Sequence, residues 1–174
     1  WEKDVKPVLY RPFDIRFILY NSNVAVHRRE RVMRHMLAGD NLGFVNCRQQ
    51  SQAGEWALAG VANTIIESCY ISNKTREINY LFPLYLYPAE GEMQFDRGKR
   101  RPNLNPKFIK EFCEKLGLEF IEDGKGDLEI TFGPEDIFNY AYVVFHSPAS
   151  RARYAEFLKI DFPHIPIPTQ KEFD

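Results

Sequence analysis

Long apolar runs are missing from this 174-residue chain. Apolar stretches such as Ile15 to Tyr20 and Ala141 to Phe145 fall far short of the roughly 20 residues that cross a bilayer as a helix, so no membrane partner is expected. No charged-then-apolar leader opens the chain, and nothing points to secretion. Cysteine is scarce. Cys47, Cys69 and Cys113 lie far apart, with neither metal-ligand spacing nor an even-numbered disulfide framework. A reducing, cytoplasmic setting is the simplest expectation. An initiating Met is missing too: the chain starts at Trp1 and ends in a polar tail, as a fragment of a longer polypeptide would.

A strong excess of one charge sign is also lacking, since the formal net charge is -1. Wholesale attraction to a polyanion is thereby excluded, but local attraction is not. Residues 1–54 hold nine Lys/Arg against five Asp/Glu, a net +4, and the remainder is net -5. Locally basic surface can bind phosphate while the whole stays near neutral. Catalytic signatures are absent as well. No Gly-rich loop ends in Gly-Lys-Ser/Thr, and Gly124-Lys125-Gly126 reads as a plain turn. Asn105-Pro106-Lys107-Phe108 is a near miss to the Asn-Pro-Pro-Phe/Tyr tetrapeptide of amino-methyltransferases, broken by Lys107. His27, His35, His146 and His164 show no ligand spacing, and His146 reads as a helix-end residue. No nucleophile–base pair is defensible from spacing, so no catalytic residue is expected.

What the chain has is a globular composition, 44% hydrophobic and 27% charged, rich in Phe (14) and Tyr (9). That composition suits one domain over residues 1–174, with large rings to fill its core. Ile15 to Tyr20, Leu42 to Arg48, Trp56 to Ala62 and Thr64 to Ile71 read as strands. Tyr80 to Tyr87 reads as an edge or bulged strand because Pro83 removes a ladder donor. Its aromatic stripe, Tyr80, Phe82, Tyr85 and Tyr87, is expected in the core. His27 to Ala38 has helical spacing, with Val32, Met33, Met36 and Leu37 on one side and Gly39 as a stop. Asn105 caps a helix that begins at Pro106, buries Phe108, Ile109, Phe112 and Leu116, and stops at Gly117. Leu118 to Ile121 and Leu128 to Phe132 read as a hairpin around Asp123 to Gly126. Two helices near the C-terminus follow, Pro134 to His146 and Ser147 to Lys159, and a proline-stiffened strap closes the chain from Phe162 to Pro168. Strands first and helices late predict an α+β fold with a mixed, mostly antiparallel sheet.

Binding chemistry is better represented. Arg28, Arg29, Arg31 and Arg34 give a helix and its approach a guanidinium surface suited to phosphate. Arg48, Gln49 and Gln50 end a strand and enter a polar loop; Arg pairs with guanine O6 and N7, and Gln with adenine N6 and N7. Lys74 and Arg76 form a second contact turn, and Arg97 to Arg101 is a basic loop.

Consecutive blocks also carry a family likeness. Tyr10-Arg11-Pro12-Phe13-Asp14-Ile15-Arg16, Arg31-Val32-Met33-Arg34-His35-Met36, Asn41-Leu42-Gly43-Phe44, Arg48-Gln49, Phe82 to Pro88, His146-Ser147-Pro148, Arg151 to Lys159 and Phe162 to Pro168 resemble the C-terminal specificity domain of type ISP restriction-modification enzymes. The resemblance implies bacterial defence and sequence-specific recognition of double-stranded DNA, within a polypeptide that also holds a nuclease, a helicase-like ATPase and an adenine-N6 methyltransferase. S-adenosylmethionine, ATP and Mg would serve the parent enzyme and none this fragment; the neighbouring methyltransferase domain would be a partner. Joined to the binding chemistry above, this reading expects base contact from Arg48, Gln49 and Gln50, with Lys74 and Arg76 second, and phosphate contact from Arg28, Arg29, Arg31 and Arg34. The segment from Tyr10 to Arg16 and the final helices would hold the domain together or dock it on the methyltransferase. The alternative function is a protein-docking scaffold without base readout.

Overall fold

A computed structural model describes residues 1–51, 53–72, 77–89 and 99–173. In chain order, a 3-10 turn at Glu2–Asp4 precedes strands β1 (Val5–Arg11) and β2 (Asp14–Leu19) and helix α1 (Glu30–Leu37). Strands β3 (Gly43–Cys47), β4 (Ala59–Ala62), β5 (Ile65–Ile66), β6 (Asn79–Pro83), β7 (Tyr85–Leu86) and β8 (Arg101–Pro102) follow. Then come helix α2 (Pro106–Leu116), strands β9 (Glu119–Phe120) and β10 (Thr131–Phe132), and helices α3 (Pro134–His146), α4 (Pro148–Arg153), α5 (Ala155–Ile160) and α6 (Gln170–Phe173). The fold is α+β, with small antiparallel, parallel and mixed sheets. The chain divides into two compact units, Trp1–Pro83 with Tyr154–Pro163, and Leu84–Arg153 with His164–Asp174.

In the first unit, β1 and β2 form an antiparallel hairpin, and β5 joins β1 in parallel through Val8↔Ile65 and Leu9↔Ile66. A second sheet has the order β4-β3-β6 with β3 antiparallel to both neighbours. Alternation along β3 puts Gly43, Val45 and Cys47 on one face, all buried. Val45 is fully enclosed with Leu9, Met36, Ala62, Ile65, Ile66, Tyr70 and Leu81. Val32, Met33 and Leu37 pack against that cluster, so the apolar stripe of α1 sits where its spacing predicts. Asn41 turns the chain from α1 into β3: its Nδ2 donates to the His35 carbonyl at 3.0 Å while its Oδ1 accepts from Leu42 N–H at 2.9 Å.

The strand β6 lies at the sheet edge and ends at Pro83, as proline requires. Leu81 and Pro83 are buried, whereas Tyr80 and Phe82 are on the opposite, exposed face. The expected core stripe therefore splits by strand alternation. Tyr85 is enclosed, but Tyr80 and Phe82 instead meet Phe162 edge-on, with centroids 5.1 and 5.6 Å apart.

In the second unit, α2 follows the sequence closely. Asn105 Oδ1 accepts from Lys107 N–H at 2.9 Å, Pro106 occupies the first turn, and Gly117 takes a left-handed φ of 70° to end the helix. Phe112 is fully enclosed, with Phe108, Phe132, Tyr140 and Phe173 rings around it at 4.8 to 6.3 Å. Burying such a ring contributes about 2–3 kcal/mol.

Two expectations fail here. The segments expected as a hairpin pair in parallel, Glu119 with Thr131 and Phe120 with Phe132. A second reversal causes this: Asp127 Oδ1 accepts from the N–H groups of Glu129, Ile130 and Thr131 at 2.8 to 3.0 Å, and Leu128 takes a positive φ of 62°. Two turns restore the original direction. The helix expected from Ser147 to Lys159 breaks at Tyr154 (φ -108°, ψ 16°), and its halves α4 and α5 belong to different units. No Pro or Gly marks that break. Strands β4 and β5 are also shorter than the apolar runs that suggested them.

Candidate nucleic-acid interface

The first candidate group sits just after β3. With Cys47 facing the core, Arg48 emerges at the strand's end and its side chain is 61% exposed. Its Nε donates to Asp161 Oδ1 at 3.1 Å. The next two residues are fastened to the C-terminal end of α5. Gln49 Nε2 donates to the Ile160 carbonyl at 3.4 Å, and the backbone N–H of Gln50 donates to the Lys159 carbonyl at 3.0 Å. Helix ends leave such carbonyls without intrahelical partners, so this loop completes α5 as α5 supports the loop. Gln50 also turns its amide back on its own loop, Nε2 to the Gly54 carbonyl at 3.2 Å. The N–H of Ser51 donates to Glu77 Oε1. Of the three expected base-contact residues, Arg48 keeps its terminal guanidinium outward, while both glutamine amides make internal contacts.

Asp161 is the residue that sequence reasoning missed. It stands 113 positions from Arg48, and no local pattern links the two. Its Oδ1 also accepts from the N–H of Phe162 at 2.9 Å, and the Phe162 ring is held against Tyr80 and Phe82. The carboxylate is thus anchored to the exposed face of β6.

The second group lies at the start of α1. The helix begins at Glu30, not His27, so Arg28 and Arg29 belong to its approach. His27 and Arg29 both adopt left-handed φ, 60° and 50°, each at a cost of about 1–3 kcal/mol in a non-glycine residue. That tight approach divides the arginines. Arg28 turns inward over the Tyr20 ring at 5.5 Å and pairs with Glu30 at 2.6 Å. Burial raises the Tyr20 hydroxyl pKa, Arg28 partly opposing it, and the hydroxyl donates to the Arg28 carbonyl. Arg29 and Arg31 are exposed, and Arg34 is half-buried. Lys74 and Arg76 lie outside the described residues, as do Arg97 and Gly98. Arg100 stacks on Tyr85 at 3.8 Å and pairs with Asp123 at 2.7 Å, which ties down that part of the basic loop.

The block from Tyr10 to Arg16 forms its own network. Arg11 and Arg16 stack on Tyr10 at 4.2 and 3.8 Å, Arg16 pairs with Asp14 and Arg11 with Glu67. Burial pushes the Glu67 carboxyl up, but Ser68, the Cys69 N–H and Arg11 together hold it below the usual carboxylate range. Nucleophilic chemistry finds no support at Cys47, whose thiol burial pushes to about 11. His146 ends α3 with its Nδ1 3.0 Å from Arg151 Nη2, and burial and Arg151 both lower its pKa. Among the described residues, no three His, Cys, Asp or Glu side chains group as metal ligands would, and no helix is long and apolar enough to cross a membrane.

The model of the type ISP C-terminal specificity domain family matches residues 1–173. No curated protein sequence matches the chain. Among solved structures, a cryoEM structure of a DrdV–DNA complex is similar over 99% of this chain and 14% of that one, at 22% identity and a TM-score of 0.72. A nuclease-deletion mutant of the type ISP restriction-modification enzyme LlaGI, in complex with a DNA substrate mimic, is similar over 99% and 13%, at 20% identity and TM-score 0.61. The ATP-dependent type ISP enzyme LlaBIII bound to DNA is similar over 98% and 10%, at 16% identity and TM-score 0.66. The present chain thus spans a small part of each, and at these identities the likeness is one of fold. From its first residue to Phe173, this chain belongs to the family of type ISP C-terminal specificity domains.

Proposed function

We propose that residues 1–174 act as the target-recognition domain of a type ISP restriction-modification polypeptide, binding double-stranded DNA and reading a short site in the major groove. The observation that carries this is the whole-chain match to a specificity-domain family. Support also comes from structural relatives described as DNA complexes and from an outward guanidinium on an anchored loop at Arg48. Arg48 would contact a base, with Gln49 and Gln50 beside it and Lys74 and Arg76 as a second turn. Arg28, Arg29, Arg31 and Arg34 would meet phosphates, the outward pair Arg29 and Arg31 most directly. The bound duplex would be presented to a neighbouring adenine-N6 methyltransferase domain, which must take its target base out of the stack to reach it. S-adenosylmethionine, ATP and Mg would be used by other parts of that polypeptide, in the cytoplasm of the host cell.

The test is a binding selection. The polypeptide carrying this domain is mixed with a duplex pool randomised over about two helical turns, and the bound fraction is sequenced. Enrichment of a defined site is expected in the wild type. Arg48→Ala should relax one base pair of that site by about 1–3 kcal/mol of discrimination. A bound fraction as random as the input would sink the assignment.

A scaffold that docks proteins without reading bases is the second reading. The hairpin β1–β2 favours it, because Phe13, Ile15 and Phe17 are all strongly exposed there. On that reading Arg48→Ala changes nothing in the selection, whereas charged substitutions at Ile15 and Phe17 separate the domain from its neighbours.

A further inference from the structure

Arg48 and Asp161 form an ion pair of unusual economy. The contact is made by Nε alone, at 3.1 Å to Oδ1. Among the described residues, Nη1 and Nη2 of Arg48 make no hydrogen bond. Both partners are more than half exposed, 61% and 54%, and exposed pairs contribute little to stability. The pair is therefore poorly explained as a staple. As an aiming device it is well built. A free arginine has many rotamers, and fixing it on binding costs affinity. Gripping Nε from the side fixes the plane of the guanidinium and leaves its two terminal nitrogens as a fork, the geometry that meets guanine O6 and N7.

The grip itself is rigidly mounted. Asp161 Oδ1 accepts from the Phe162 N–H at 2.9 Å, and Phe162 is wedged edge-on against Tyr80 and Phe82. The Arg48 backbone is fixed by the next residues, since Gln50 N–H donates to the Lys159 carbonyl at 3.0 Å. Donor and acceptor thus ride on one support, the end of α5.

We propose that Asp161 is a specificity-positioning residue. It holds Arg48 by Nε and presents Nη1 and Nη2 to a single guanine in the major groove. Asp161 itself touches no DNA. This rests on Arg48 being a base-contact residue, as proposed above.

The randomised-duplex selection separates the two claims. Arg48→Ala should lose about 5- to 150-fold discrimination at one base pair. Asp161→Asn keeps an oxygen to cap Phe162 but loses the charge that grips Nε. It should lose about 3- to 10-fold at that same base pair and at no other, since its effect on base choice runs through Arg48. The double variant should be no worse than Arg48→Ala alone. Binding to random duplex should hold or tighten in Asp161→Asn, because a carboxylate near the phosphates is gone. A merely structural residue would weaken all sequences alike. Asp161→Ala should repeat the pattern more strongly, and thermal unfolding checks that both variants are folded. If Arg48→Ala alters one base pair while both folded Asp161 variants keep the wild-type profile, the positioning role is overturned and the base contact stands. If Arg48→Ala itself keeps the wild-type profile, the base-contact reading falls, and this inference with it.

Discussion

Asp136, buried in the first turn of α3, accepts from the backbone N–H of Gly126 at 2.7 Å, ten residues before it. The same oxygen accepts from the Gly133 N–H at 2.9 Å. One carboxylate therefore caps a helix and pins the loop that reverses the chain before β10. A place in a helix's first turn accounts for the first role alone.

Removing that carboxylate should be costly. Asp136→Ala forfeits a cap interaction of about 0.5–2 kcal/mol and strands buried donors at about 1–3 kcal/mol each. We expect a loss of about 2–4 kcal/mol in urea unfolding. A midpoint within error of wild type would show that the loop finds other acceptors.

Two glycines in the same loop should respond differently. A methyl group at Gly126 would lie 2.2 Å from the Thr131 carbonyl oxygen, a backbone atom that cannot swing away. Nothing lies within 4 Å of one at Gly124, but its φ of 75° is left-handed. Gly124→Ala should therefore cost about 1–2 kcal/mol, and Gly126→Ala should cost more, about 3 kcal/mol or above. The order of the two unfolding midpoints is the check.

Acid should loosen the turn at Asp127. Backbone N–H groups of Ile130 and Thr131 lower its carboxyl to about 2, against roughly 3.9 in an unfolded chain. The sign follows from a depressed folded value: its contribution is complete above the unfolded value and fades as pH falls toward 2. Unfolding of wild type and Asp127→Asn should differ at pH 6, and the difference should shrink between about pH 4 and 2. A difference independent of pH in that window would count against the charged form as the acceptor.

Salt dependence should separate the arginines of α1. An outward phosphate contact lowers the slope of log affinity against log salt by about 0.9 when removed. Arg31→Ala should do so in the polypeptide carrying this domain. Arg28→Ala should change the slope less, because Arg28 is already paired with Glu30 and folded over Tyr20. Equal slopes for both variants would contradict the division between them.

Elements coded by neighbours in the chain were legible. The run from Asn105-Pro106 to Gly117 spells out α2 completely, and Pro134 marks the start of α3 equally well, because caps and first turns are satisfied within a few residues. The stripe Val32, Met33, Met36 and Leu37 named the buried side of α1. The parallel course of β9 and β10 was not legible, since Asp123 to Gly126 looks like one turn while Asp127 supplies another. Nor was the break at Tyr154, where good helix formers run on both sides.

Sequence alone determined the arginine-rich approach to α1, the Arg48-Gln49-Gln50 loop, the capped helices and the family, because each depends on residue type at short spacing. Tertiary structure alone decided which guanidinium is exposed and which carboxylate holds it. Asp161 meets Arg48 across 113 residues of chain, and a contact of that span is set by how strands and helices pack, which short-range patterns do not encode.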